Sequence, residues 1–212
     1  MSLFYQHNIN GSTKLGVWRI EEPESFFLER VPQKKNVSHP YKRLQHLAGR
    51  YLLPVLFNDF PLEEILIADT RKPFLENERY HFSISHCGNF AAAIISSEHR
   101  VGVDIEMVTP RIVSISNKFL NENEKRLLQN WEQISQLHLE LTTVLWSAKE
   151  SIFKWHSLGD VDFKKHIRLN GPVNMKASEW IDLPFVFDKG QPVNLHVKAK
   201  RFGTMVLAWV VS

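Results

Sequence analysis

Apolar and polar positions alternate over residues 14–20, with Leu15 and Val17 two apart, and this period predicts a strand. Pro23 then predicts a helix through Phe26, Phe27 and Leu28, because proline is tolerated in a first helical turn. Over residues 38–57, Leu47, Tyr51 and Leu52 recur at helical spacing, with Ser38 placed to cap the helix. Arg43 and Arg50 fall on one face of it. The charged stretch 71–78, with Pro73, reads as a loop. Residues 81–85 and 90–96 are apolar runs separated by Gly88-Asn89, which predicts a hairpin, and 101–108 predicts another strand. Helices follow over 117–131 and 134–156. Strands then recur at 166–169, 180–187, 193–198 and 204–211, punctuated by Pro172, Pro184, Pro192 and Gly203. Each half therefore carries a long helix and several strands. The pattern predicts two similar α+β lobes, 1–100 and 101–212, with the seam in the region 99–108.

Composition narrows the class. At 212 residues, 43% hydrophobic and 23% charged, the chain has ordinary globular usage, which excludes a disordered, collagen-like or coiled-coil protein. A net charge of +3 suits an anionic ligand or partner but is too small to indicate DNA binding. Cys87 is the only cysteine, so no internal disulfide forms and a reducing compartment is expected. The first residues lack the basic patch and apolar run of a signal peptide. No apolar stretch approaches the roughly 20 residues of a membrane span. The expectation is a soluble, cytoplasmic protein.

Three segments carry candidate chemistry. In Gly102-Val103-Asp104-Ile105-Glu106, strand periodicity places Asp104 and Glu106 on one face. Paired carboxylates repel unless a cation or proton lies between them, and Mg²⁺ favours such oxygen ligands. The bland alternative is an amphipathic strand with two solvated acids. In Trp146-Ser147-Ala148-Lys149-Glu150-Ser151-Ile152-Phe153-Lys154, one helical stripe mixes Trp146 and Phe153 with Lys149, Glu150 and Lys154. Glu150 can add a third carboxylate, and the lysines can hold phosphate oxygens. Alternatively, Glu150 and Lys154 are an ordinary i,i+4 pair, worth only about 0.2–0.5 kcal/mol. The third segment is Phe82-Ser83-Ile84-Ser85-His86-Cys87-Gly88, preceded by Lys72-Pro73. Neighbouring side chains on a strand point to opposite faces, so His86 and Cys87 make a poor nucleophilic pair. The ten histidines show no HExxH spacing, and the lone cysteine excludes CxxC.

Taken in this order, the motifs resemble those of the 4′-phosphopantetheinyl transferase superfamily, in its longer, two-lobed monomeric type. The matching stretches are Lys72-Pro73, FSISHCG (82–88), GVDIE (102–106), FLNENE (119–124) and WSAKESIFK (146–154); the upstream KRLQHLAGRYLL (42–53) fits too. The resemblance implies an α+β pseudo-dimer of two similar lobes, each with a long helix on a mainly antiparallel sheet, and coenzyme A in the cleft between them. It implies an Mg²⁺-dependent enzyme (Mn²⁺ an alternative) that moves the 4′-phosphopantetheine arm of coenzyme A onto a serine of an apo acyl or peptidyl carrier protein. Adenosine 3′,5′-bisphosphate is released. Carried over by position, Asp104, Glu106 and Glu150 are the metal ligands, and Glu124 is a further ligand or the base. Lys154 meets the transferring phosphate, with Lys149 close by. Lys72, Ser85 and His86 contact the coenzyme, and Arg43 and Arg50 its nucleotide end. Cys87 stands where the family often has serine, which removes one hydroxyl. The resemblance points to a monomer that binds neither nucleic acid nor membrane.

Two other classes remain at this stage. One is a non-catalytic nucleotide-binding module, resting on Lys34-Lys35 and the basic run 198–201; the other is a metal-dependent phosphohydrolase using the same carboxylates.

Overall fold

The alternation at the start of the chain becomes a sheet whose inner face is covered by one helix. The structure is a computed structural model, and it describes residues 2–32, 37–129, 134–173 and 180–212. Strands β1 (Leu3–Asn8) and β2 (Thr13–Arg19) are followed by a short helix α1 (Glu24–Leu28) and the long helix α2 (Pro40–Leu56). After a 3-10 turn, β3 (Leu66–Ile67) and β4 (Pro73–Phe74) form a small ribbon, and β5 (His81–Cys87) and β6 (Phe90–Ser96) form the predicted hairpin. Its two-residue turn begins with Gly88 at φ +52°, a conformation glycine adopts without a Cβ penalty. The sheet order is β1-β2-β6-β5, antiparallel throughout, so β5 is an edge strand. Leu47, Ala48, Leu52, Leu53 and Leu56 of α2 are buried in a core with Ala91, Ala93 and Ile95 of β6.

Strand β7 (Val101–Met107) leads into α3 (Pro110–Ser114), α4 (Ser116–Phe119), α5 (Glu122–Gln129) and α6 (Ser135–His156). Strands β8 (Ile167–Leu169), β9 (Ile181–Phe187), β10 (Val193–Phe202) and β11 (Met205–Val211) complete a sheet of order β7-β11-β10-β9-β8. Leu141, Val144, Leu145, Ala148 and Ile152 of α6 are buried with Leu183, Val197 and Val206 of this sheet. The chain divides into two compact units, one ending at Ile105 and the other running from Glu106 to Ser212. Each unit pairs one long helix with a mainly antiparallel sheet. No helix among the described residues is long and apolar enough to cross a membrane.

Several local expectations change. Ser38 does not cap α2: His39 occupies that position and makes no side-chain cap bond. Pro40 explains this, since proline at the first position already has the helical φ and lacks an N–H to satisfy. The single helix expected over 117–131 is broken at Leu120 and Asn121. Asn121 Oδ1 accepts the N–H groups of Asn123 and Glu124, each at 3.0 Å, while Glu124 Oε2 accepts the N–H of Asn121 at 2.9 Å. This reciprocal arrangement starts a new helix at Glu122. Strand β1 and helix α3 were not anticipated, and the end of the expected helix, like Lys34-Lys35, lies outside the described residues.

A close approach of α2 to its sheet depends on a glycine. A Cβ on Gly49 would lie 2.6 Å from Cγ2 of Ile84, a stiff β-branched side chain on β5. Alanine in an open helix position is favoured over glycine by about 1 kcal/mol; here the sign reverses. Gly49→Ala should destabilise the protein by about 1–3 kcal/mol through overpacking, read as a lower midpoint in urea unfolding.

Candidate functional site

Strand β7 carries the carboxylate pair, but in two different settings. Asp104 is 5% exposed, whereas Glu106 is half-buried at the end of the strand. Asp104 Oδ1 accepts a hydrogen bond from the Ser85 hydroxyl at 2.9 Å, and Ser85 Oγ accepts the N–H of Ile105 at 3.3 Å. One rung earlier, Ser83 Oγ accepts the N–H of Val103 at 3.2 Å. Ser85, expected to contact the coenzyme, is thus buried against the acidic strand. Among the described residues, no three carboxylate, imidazole or thiol side chains form a ready-made metal cage. Two strand carboxylates nevertheless fit Mg²⁺, which is usually held by one or two carboxylates together with waters and substrate phosphates.

Helix α6 turns two faces to different surroundings. Glu150, Trp146 and Phe153 line an open pocket of about 660 Å³, together with Phe119 and Phe163. Its aromatic wall is continuous: the rings of Phe119 and Trp146 are 4.9 Å apart, those of Trp146 and Phe163 5.7 Å, and those of Phe153 and Phe163 5.6 Å. Lys154 stands one turn beyond Glu150 and is half-buried.

Lys149 points the other way, into the protein, with no exposure. Its Nζ donates to Glu124 Oε2 at 2.7 Å and to the carbonyls of Phe119 at 2.8 Å, Ile167 at 2.8 Å and Phe163 at 3.0 Å. Four acceptors engage its three hydrogens, which leaves none for a phosphate. The placing of Lys149 beside the transferring phosphate is therefore corrected by its burial. Glu124 is equally enclosed, at 2% exposure. Its Oε2 serves Asn121 and Lys149, and its Oε1 accepts the N–H of Leu169 at 3.0 Å. The geometry makes Glu124 a helix cap and counter-ion rather than an open base. Burial pulls the Lys149 pKa below its usual value, against the opposing pull of the Glu124 carboxylate.

The cationic residues also separate. Arg43 is committed within its own unit: Nε and Nη2 donate to the Glu24 carboxylate, the latter at 3.0 Å, and Nη1 donates to the Val37 carbonyl at 3.0 Å. Its guanidinium holds α1 against α2, and its hydrogen bonds keep the Glu24 pKa low. A contact to the nucleotide end through Arg43 is not what this geometry provides. Arg50, two turns on, is half-buried and has no hydrogen-bonding partner among the described residues; burial lowers its pKa. Lys72 is drawn down to about 8, first by burial and then by repulsion from Arg100. The His86 ring lies 5.3 Å from that of His46 on α2, an imidazole that pattern reading did not single out. Cys87, next along β5, is half-buried.

Against this geometry the comparisons are specific. Residues 100–193, which contain β7, α5 and α6, match the model of the 4′-phosphopantetheinyl transferase superfamily, and the resemblance to that superfamily drawn from GVDIE, FLNENE and WSAKESIFK is borne out. Among individual relatives, the 4′-phosphopantetheinyl transferase gsp of Aneurinibacillus migulanus is 37% identical over 123 residues, 56% of this chain and 49% of that protein. Enterobactin synthase component D of Salmonella typhi is 32% identical over 117 residues, 53% and 47% of the two chains. The 4′-phosphopantetheinyl transferase AcpT of Escherichia coli O157:H7 is 33% identical over 118 residues, 53% and 57% of the two. The match spans about half the length of the curated relatives.

The buried pair gives a direct test of its structural part. Removing one member of a buried ion pair strands the other charge and costs about 3–5 kcal/mol, against less than about 1 kcal/mol for an exposed pair. Glu124→Ala should lower stability by the larger amount in chemical denaturation. A change below 1 kcal/mol would mean that Lys149 is not held as described.

Proposed function

We propose that this protein transfers the 4′-phosphopantetheine arm of coenzyme A to a serine of an apo carrier protein, releasing adenosine 3′,5′-bisphosphate. The observation that carries the reading is the superfamily match across residues 100–193, which contain the acidic strand β7 and the Glu150 face of α6. The pairing of one long helix with an antiparallel sheet in each unit supports reading the chain as two similar lobes.

Asp104, Glu106 and Glu150 are the residues we assign to Mg²⁺, which when bound neutralises charge on the pyrophosphate. The serine oxygen attacks the phosphorus that bears the pantetheine arm. The bond from that phosphorus to the bridging oxygen breaks, and the electron pair leaves with the adenosine bisphosphate. Phosphoryl transfer of this kind depends on positioning and charge stabilisation rather than on a protein nucleophile, so Cys87 has no part in it. Lys154 takes up negative charge as the bridging bond breaks. Glu124 being enclosed, the serine proton would pass to another carboxylate of the site or to water. Lys72, Arg50 and His86 meet the anionic nucleotide end; desolvated cations such as Arg50 gain most from an incoming anion. The aromatic pocket beside Glu150 suits the slender amide-containing arm.

The reading is tested by mixing the protein with coenzyme A, Mg²⁺ and a panel of apo carrier proteins, and weighing the carriers by mass spectrometry. One carrier should gain a single phosphopantetheinyl group on serine, a chelator should abolish the gain, and Asp104→Ala should slow it at least about 10²-fold. Coenzyme consumed with no carrier loaded would instead identify a hydrolase.

Lys72 adds a pH dependence. Because its pKa is depressed to about 8, the free protein loses this charge as the pH rises through that value. A bound phosphate favours the charged form, so KM for coenzyme A should rise above pH about 8 while remaining flat just below it. Lys72→Met should raise KM below pH about 8, approach the wild-type value well above it and remove the inflection; an unchanged inflection would assign it to another group.

A further inference from the structure

We propose that Ser85 is a positioning residue for the divalent cation, acting through the Asp104 carboxylate. The inference rests on the reading of Asp104 as a metal ligand. Strand β5 is the last strand of its sheet. Two side chains on the face turned away from α2 link it to β7. Ser83 and Ser85, two apart on β5, accept the N–H groups of Val103 and Ile105, two apart on β7. The equal periods let serine hydroxyls stand in for two rungs of a sheet. Both serines are buried, at 3% and 6% exposure, and both do this structural work.

Ser85 makes a contact that Ser83 is not seen to make among the described residues. A hydroxyl has a single hydrogen to donate, and that of Ser85 goes to Asp104 Oδ1 at 2.9 Å. Asp104 is the buried member of the acidic pair, so water cannot orient its carboxylate as it orients an exposed one. The Ser85 bond fixes the rotation of the carboxylate about its last torsion and sets the direction in which an oxygen is presented. The N–H of Ile105 in turn fixes the Ser85 hydroxyl, so the orientation of the ligand is locked to the strand that bears it. Groups that orient metal ligands in this way typically govern metal affinity by 10–100-fold. Ser83 provides an internal control, because among the described residues it carries a backbone rung and no carboxylate.

The experiment titrates Mn²⁺ into the protein saturated with coenzyme A and reads the bound fraction from loss of the free-ion electron paramagnetic resonance signal, with the coenzyme alone as blank. No turnover is needed. Ser85→Ala should weaken Mn²⁺ binding by about 10–100-fold, while Ser83→Ala should bind as wild type even if its melting temperature falls. Should Ser85→Ala fail to fold, Ser85→Thr and Ser85→Val, alike in shape, carry the same comparison: the threonine variant should bind tightly and the valine variant weakly. Equal affinity in wild type and Ser85→Ala, or equal losses at Ser83 and Ser85, would overturn the role of Ser85 alone. No Mn²⁺ binding by the wild type beyond the blank would overturn the metal site and this inference with it.

Discussion

An ammonium group cut off from water must find all its hydrogen-bond acceptors inside the protein, and around Lys149 the second unit is built to supply them. Its four partners come from the end of α4, from α5, from the loop after α6 and from β8. Two of the carbonyls belong to Phe119 and Phe163, whose rings form the aromatic wall of the open pocket. The residue immediately following Lys149 is Glu150, on the pocket side of the same helix. One buried charge therefore fixes both the wall and the carboxylate that faces it. Glu124 ties this arrangement to the start of α5 as its cap, so helix initiation and charge compensation share one side chain.

In the first unit, a comparable problem around Asp104 is met by a hydroxyl. The part of the acidic strand that lies in this unit meets β5 through serine hydroxyls. Side-chain rungs satisfy the N–H groups and leave a hydroxyl hydrogen free to orient Asp104, which a backbone carbonyl has no means of doing. The two units thus use different chemistry for one purpose: a buried polar side chain that holds a neighbouring acidic element in place.

Much of the fold was legible from period alone. The β5–β6 hairpin announced itself through Gly88-Asn89 between apolar runs, and α6 through its long amphipathic stretch. The break between α4 and α5 had a readable signal, Asn121-x-x-Glu124, the spacing of a reciprocal helix cap. Strand β1 did not, because only one face of an edge strand is half-covered and Gln6, His7 and Asn8 dilute the pattern. The site was legible as residue types but not as roles. Lys149 shares a stripe with Glu150, and nothing local distinguishes a solvated lysine from one whose acceptors lie 14 to 30 positions away. Ser85 lies 19 positions from Asp104, so the contact that defines it is visible only once both strands are placed.

The pocket beside Glu150 also has a calorimetric consequence. At about 30 Å³ per molecule of liquid, a space of about 660 Å³ holds on the order of twenty waters. Those against Trp146, Phe153 and Phe163 wet apolar rings. Whatever fills the pocket sends them back to bulk, and burial of such surface lowers the heat capacity of the complex. Occupancy should therefore become more exothermic on warming, and the balance of heat and entropy at one temperature will not describe the association at another.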